Sequence, residues 1–317
     1  MTKAALAIHG GAGTILKNLM TRELEAEYRS GLEKALAVGW AVLGKDGSAL
    51  DAVEAATAEL EDFHLFNAGR GSVFTHEGKN EMDASIMNGA NLRAGAVAFV
   101  KGVRNPISLA RLVMERTEHI LLGGDGAEQF AREVGVRFEP DEYFFTEHRY
   151  EQLKKAIEAD RVQLDHTIDE PTLIEEETAA GKALGTVGAV ACDKNGNIAA
   201  ATSTGGMTNK KFGRIGDTPL IGAGTYAENS TCAVSCTGHG EFFMLGATAF
   251  DVAARMRYKG LGLEAAANEA IEHLTAIGGE GGLIAVDSKG NIALPFNSDG
   301  MYRGWTVDGR FETRIYR

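Results

Sequence analysis

Cysteine is scarce in this chain and does not pair. Cys192, Cys232 and Cys236 form an odd set without a C-x-x-C motif, which excludes a disulfide scaffold and a zinc ribbon and points to a reducing compartment. Proline is also rare, five residues against forty glycines, a balance that favours tight turns and close backbone approaches over disorder. Positive charge is in deficit: 32 basic against 44 acidic residues leave a net charge of −12, so no nucleic-acid partner is expected. No run reaches the roughly twenty apolar residues that span a bilayer, so no membrane partner is expected either. Residues 1–12 hold one lysine and a short apolar run without the long core and cleavage site of a secretory signal, so the expected location is cytoplasmic.

Familiar catalytic motifs are missing as well. The eight histidines are scattered without an H-E-x-x-H or H-x-x-x-H pair, which disfavours metal catalysis. No G-x-S-x-G elbow is present, which disfavours an ordinary serine hydrolase. The segment His9-Gly10-Gly11-Ala12-Gly13 lacks both the P-loop ending and the dinucleotide spacing. It is better read as a tight turn that brings backbone close to a buried site.

What remains is a chain of 317 residues, 44% hydrophobic, able to bury a large core. Residues 3–9 suit a buried strand, and 22–43 a helix. Ser48 caps a second helix, with Asp51 completing a capping box and Leu50, Val53, Ala56 and Leu60 as its apolar stripe. Residues 81–100 alternate as a strand pair about Asn88-Gly89. Pro106 opens a further helix, and helical patterns cover 127–134 and 147–159. Residues 161–185 lose apolar periodicity and carry Asp165, Asp169, Glu170, Pro171, Glu175, Glu176 and Glu177, the composition of an exposed, mobile linker. Beyond it two hairpins of one design, with turns at 193–197 and 287–291, flank two long helices at 242–258 and 263–277. This order predicts an α+β fold, antiparallel sheets packed between helices.

Gly185-Thr186-Val187-Gly188 stands where the linker meets the first of these hairpins. A threonine at a chain start carries both an attacking hydroxyl and a titratable amine, whereas an internal threonine has only the hydroxyl. Hairpin geometry returns Thr204, at the end of the next strand, towards Thr186. Thr237-Gly238 ends another apolar run before a helix, where backbone N–H groups can bind an oxyanion. Arg214 and Asp217 share a short glycine-flanked loop and suit the carboxylate and ammonium of an amino-acid end.

With these motifs in this order, the chain resembles, over essentially its whole length, the plant-type L-asparaginase and isoaspartyl peptidase family of N-terminal nucleophile hydrolases. Leu65-Phe66-Asn67-Ala68-Gly69 and Thr204-Gly205-Gly206-Met207-Thr208-Asn209 belong to the same match. The resemblance implies an αββα sandwich and self-cleavage between Gly185 and Thr186. The α subunit would be residues 1–185 and the β subunit 186–317, together one folded domain that associates as a dimer of αβ units. It implies Thr186 as nucleophile, Thr204 as its support, and Thr237 and Gly238 as oxyanion donors. Arg214, Asp217, Thr237 and Gly240 would bind substrate. A structural sodium ion would be held by the main-chain carbonyls of Leu60, Glu61, Phe63, Phe66, Ala68 and Arg70, and no cofactor would serve catalysis. The implied substrates are L-asparagine and β-aspartyl dipeptides. The pattern assigns no role to Arg70 or His239. Three alternatives remain open at this stage: a glycosylasparaginase-type hydrolase, a taspase-like protease, and a non-catalytic amino-acid-binding homologue.

Overall fold

The computed structural model describes residues 3–159 and 185–317; the linker expected at 161–185 lies outside the described residues, Gly185 excepted. In chain order the elements are β1 (Ala5–Gly13), α1 (Arg22–Leu43), α2 (Ala49–Glu61), β2 (Met82–Asn88), β3 (Ala94–Val100), α3 (Pro106–Arg116) and β4 (Leu121–Gly123). There follow α4 (Gly124–Glu133), α5 (Asp141–Phe144), α6 (Glu147–Glu158), β5 (Val187–Cys192), β6 (Ile198–Thr204), β7 (Thr225–Ala227) and β8 (Cys232–Gly238). The chain closes with α7 (Gly240–Gly246), α8 (Thr248–Lys259), α9 (Leu263–Ala276), β9 (Gly281–Asp287), β10 (Ile292–Ala293), β11 (Gly300–Val307) and β12 (Arg310–Tyr316). Eight strands form one sheet in the order β12-β11-β1-β5-β6-β2-β3-β4, and four form a second, β10-β9-β8-β7. All pairings within the sheets are antiparallel except β3 with β4.

Strand alternation sorts the core into three layers. Leu6 and Ile8 of β1 face α1 and α2, whereas Ala5 and Ala7 face the second sheet. On β8, Cys232, Val234 and Cys236 face α8 and α9, while Ala233 faces the first sheet. Helices therefore cover the outer face of each sheet, and the inner faces meet over small residues such as Ala200, Ala227 and Ala233. The result is the expected αββα sandwich. Small side chains let the sheets approach closely, and that proximity brings the ends of β5, β6 and β8 to one edge.

Local signals hold where they are strong. Ser48 Oγ accepts from Asp51 N at 3.1 Å and donates to its carboxylate at 2.7 Å. The two similar hairpin turns are built alike: Asp193 Oδ1 accepts from Asn195 N and Asn197 N, and Asp287 Oδ1 from Lys289 N and Asn291 N. Such carboxylate-closed turns explain the repeated Asp-x-x-Gly-Asn spelling.

Three expectations need correction. The helix expected at 242–258 is broken at Ala247, which sits at φ 43°. There Ala249 N and Phe250 N donate to the carbonyls of Ala223 and Gly222 instead of continuing the α7 ladder. The turn expected at 9–13 is instead the end of β1, which bulges between His9 and Gly11 and stays paired with β11 as far as Gly13. The second hairpin is short, because β10 stops at Ala293 and Pro295 has no N–H to extend the ladder. Among the described residues, no helix is long and apolar enough to cross a membrane.

Candidate active site

Thr186 immediately precedes β5, and the β5–β6 register sets Val187 against Ser203. Thr186 and Thr204 therefore face each other, with Thr186 Oγ1 donating to Thr204 Oγ1 at 3.3 Å. Thr204 Oγ1 in turn donates to the Gly185 carbonyl at 3.0 Å and accepts from Gly206 N at 3.0 Å. One hydroxyl proton and two lone pairs are all a threonine has, so this hydroxyl is fully committed. The Gly185 carbonyl has a second donor, Asn67 Nδ2 at 2.8 Å, whose other N–H reaches the Gly206 carbonyl at 2.7 Å. Asn67 Oδ1 accepts from Val73 N at 3.0 Å, which fixes the orientation of the amide. Sequence reasoning quoted Asn67 in a motif but gave it no role. Only the folded path of residues 62–73 brings it 118 positions along the chain to Gly185.

Gly185, Thr186, Thr204, Gly206, Met207, Arg214, Gly216, Asp217, Thr218 and Gly238 line one cleft. Six of the residues expected to act together are thus assembled there. Gly240 abuts them: a Cβ on it would lie 2.7 Å from Asp217 Oδ1 and 2.9 Å from Arg214 Nη2, so only glycine lets these side chains pack so close. Thr237 is fully buried beside Gly238, and its Oγ1 accepts from Ala12 N at 3.3 Å, leaving the hydroxyl proton to be donated elsewhere.

Arg214 is not an open fork. Its Nε and Nη2 each donate to a Glu241 carboxylate oxygen at 2.9 Å, while Nη1 lies against Gly216 in the cleft. Partial burial opposes ionisation of Glu241, but the Arg214 hydrogen bonds and charge outweigh it and hold the carboxyl below its ordinary range. His239 Nε2 lies 3.4 Å from the same carboxylate, which puts His239 beside the Arg214–Glu241 pair, a contact its position in the sequence did not reveal. Burial pushes Asp217 up to about 7, with the Arg214 charge only partly offsetting it, and Asp217 Oδ2 has no hydrogen-bond partner among the described residues.

The segment 60–70 lies behind Asn67. A Cβ on Gly69 would lie 2.4 Å from the Glu61 carbonyl oxygen, and one on Gly71 2.0 Å from that of Phe66 and 2.6 Å from that of His64. Backbone carbonyls thus pack so closely against these two positions that only glycine fits at either. The Glu61 side chain is a separate matter: burial raises it to about 8, and Oε1 accepts from Ser203 Oγ at 2.6 Å and Ile107 N at 2.9 Å. Arg70 stacks over the Tyr143 ring at 5.5 Å. No cluster of His, Cys, Asp and Glu able to hold a metal occurs among the described residues.

Known proteins resemble this chain along its whole length. The sequence pattern of the family described as asparaginase matches residues 2–315. An isoaspartyl peptidase of Salmonella typhimurium is 52% identical, with all of both chains covered. An isoaspartyl peptidase of Escherichia coli is 49% identical over all of this chain and 97% of its own. A plant-type L-asparaginase of Pyrococcus horikoshii is 46% identical over 97% of this chain and 98% of its own. With a family match spanning nearly every residue and relatives this similar end to end, the chain belongs to the asparaginase family.

Proposed function

We propose that this protein is a self-cleaving amidohydrolase that releases L-aspartate from β-aspartyl dipeptides and from L-asparagine. The observation that carries the reading is the triple contact at Gly185-Thr186: a carbonyl held by Asn67 and Thr204, and an attacking hydroxyl already bonded to Thr204. In the first event Thr186 Oγ1 attacks the Gly185 carbonyl carbon. Its proton passes to Thr204 Oγ1 while the Thr204 proton moves towards the carbonyl oxygen, so no amine base is needed before one exists. The C–N bond then breaks as that proton passes from the former carbonyl oxygen to the nitrogen, which leaves as the Thr186 amine, and water hydrolyses the resulting ester to the Gly185 carboxylate and a free Thr186.

In the second event the new amine, with an unperturbed pKa of about 7.7–8.0, is suited to remove the Thr186 hydroxyl proton near neutral pH. The oxygen attacks the side-chain carbonyl of the bound β-aspartyl group, and Thr237 Oγ1–H and Gly238 N–H receive the oxyanion. Ammonia or an amino acid leaves with the transferred proton, and water releases aspartate from the ester. Arg214 holds the substrate α-carboxylate, and Asp217 with the Gly240 carbonyl holds the α-amine. Both grips address the aspartyl half, so the leaving group is loosely specified. The carbonyls of Leu60, Glu61, Phe63, Phe66, Ala68 and Arg70 would hold a sodium ion whose contribution is to fix the loop carrying Asn67. The same reading carries a cytoplasmic location and assembly as a dimer of αβ units. Incubation with a β-aspartyl dipeptide, L-asparagine and a glycosylated asparagine tests it: aspartate released from the first two supports it, and turnover of the glycosylated compound alone contradicts it.

Two consequences follow at the clamp. Arg214→Ala is expected to raise KM roughly 10- to 100-fold with kcat changed far less, the loss of a charge-assisted contact made in ground and transition states alike. An unchanged KM would remove Arg214 from the clamp. The acid limb of kcat/KM is the second. Free enzyme must carry a neutral Thr186 amine and an ionised Asp217, whose carboxyl is raised to about 7. Falling pH protonates both, so log kcat/KM should drop with a slope approaching two below about pH 6.5. Asp217→Asn should reduce that slope to one while raising KM; an unaltered profile would show that Asp217 does not receive the amine.

A further inference from the structure

A line of polar side chains crosses the apolar layer between the sheets. At one end the Thr186 carbonyl accepts from His9 Nδ1 at 2.9 Å, the only direction a carbonyl permits. His9 Nε2 meets Ser235 Oγ at 2.8 Å, Ser235 Oγ meets Thr202 Oγ1 at 2.7 Å, and Thr202 Oγ1 meets Thr225 Oγ1 at 2.5 Å. Thr225 Oγ1 then meets Ser85 Oγ at 2.8 Å, and Ser85 Oγ reaches the Thr218 carbonyl at 2.6 Å. Strands β1, β8, β6, β7 and β2 each give one of these side chains, and every one is fully buried. Strand β5 makes room for the line at Gly188, where a Cβ would lie 2.0 Å from Ser235 Oγ and 2.6 Å from His9 Nε2. Its two ends are the carbonyl of the attacking residue and the carbonyl that follows Asp217 in the substrate loop.

The protons along this line do not suffice. With the 3.4 Å contact of Thr202 Oγ1 to the Gly224 carbonyl, seven contacts each need one hydrogen, while a neutral imidazole and four hydroxyls supply only five. Burial pushes His9 down to about 3, outweighing its bond to the Thr186 carbonyl, so the ring is neutral near neutral pH. With His9 Nδ1–H committed to Thr186, the arrangement that serves His9 Nε2, Ser235 and Thr202 in turn has the hydroxyls of Ser235, Thr202 and Thr225 each donate one step towards His9, leaving the Gly224 carbonyl to its bond from Cys236 N. The single Ser85 proton is then claimed by both Thr225 and the Thr218 carbonyl. Within that order two arrangements compete, differing in which of those acceptors is left without a donor.

We propose that His9, Ser235, Thr202, Thr225 and Ser85 are positioning residues, a one-way chain of hydroxyls that couples the attacking threonine to the loop bearing the substrate clamp. When Ser85 donates to Thr218 the loop is held for substrate; when it donates to Thr225 the loop is released. This rests on the hydrolase reading of the cleft.

The proton count gives the variants opposite signs. Ser85→Ala strips the Thr218 carbonyl of its donor, and KM is expected to rise about fivefold, the effect of one neutral hydrogen bond. Thr202→Val removes a hydroxyl that touches neither end but preserves the branched shape. It frees the Thr225 proton for Ser85, which then always serves Thr218, so KM is expected to fall about threefold. Thr202→Ser restores the hydroxyl and with it the wild-type KM. Thr225→Val deletes the competing acceptor and is expected to lower KM as well; it carries the test if Thr202→Val does not fold. KM values that rise in all variants, or do not move, overturn the proposal, since damage to packing alone gives one sign. Wild-type enzyme is assayed first on a β-aspartyl dipeptide: no turnover rejects the hydrolase reading and the coupling with it. Turnover with the wrong signs rejects the coupling alone.

Discussion

Thr186→Ala is expected to give one uncut chain near 33.7 kDa with kcat lower by at least about 10⁴-fold. The reasoning is geometric before it is chemical. Removing the hydroxyl leaves the Gly185 carbonyl still bonded to Asn67 and Thr204, and the Thr186 carbonyl position still bonded to His9. The fold therefore keeps its backbone contacts at this edge and loses only the attacking atom and its bond to Thr204. Cleavage and turnover should vanish together, because one oxygen performs both. Thr186→Ser retains that oxygen and the future amine, so it should cut and turn over. A cut or active Thr186→Ala would assign the chemistry to another residue.

Thr237→Val is expected to separate the two events. The valine keeps the volume of a fully buried side chain and removes only the hydroxyl. In the uncut chain the scissile carbonyl is held by Asn67 and Thr204, so cleavage should proceed. In turnover the substrate oxyanion would lose one of its two donors, which typically lowers kcat by about 10²–10³-fold. A protein fully cut on a denaturing gel, with normal KM and a kcat reduced by that amount, is the expected result. Loss of cleavage, or an unaffected kcat, would mean that Thr237 does not serve the oxyanion as described.

Much of the site was legible because hairpin geometry is local. Given a strand starting after Thr186 and a short turn at 193–197, Thr204 had to return beside it. Capping at Ser48 and the paired Asp-x-x-Gly-Asn turns were legible for the same reason: each satisfies its own backbone within four residues. What failed depended on partners distant in sequence. The break at Ala247 arises because carbonyls of a preceding loop take N–H groups that helix periodicity had assigned to an unbroken helix. The end of β1 could not be read as strand without β11, whose pairing absorbs the bulge after His9. Asn67 and Glu241 carry no local signature of their roles; one acts on Gly185 across the sheet edge and the other on Arg214 from a separate helix. Likewise the hydroxyls between the sheets read as ordinary strand residues until five strands are brought together.

The central claim is that a backbone amide becomes the catalytic base, and the mass of the purified wild-type protein under denaturing conditions tests it most directly. Two chains are expected, the second beginning Thr-Val-Gly-Ala at Thr186, and they should accumulate in step with release of aspartate from a β-aspartyl dipeptide. Full activity from a polypeptide that remains unbroken at Gly185-Thr186 would contradict the account.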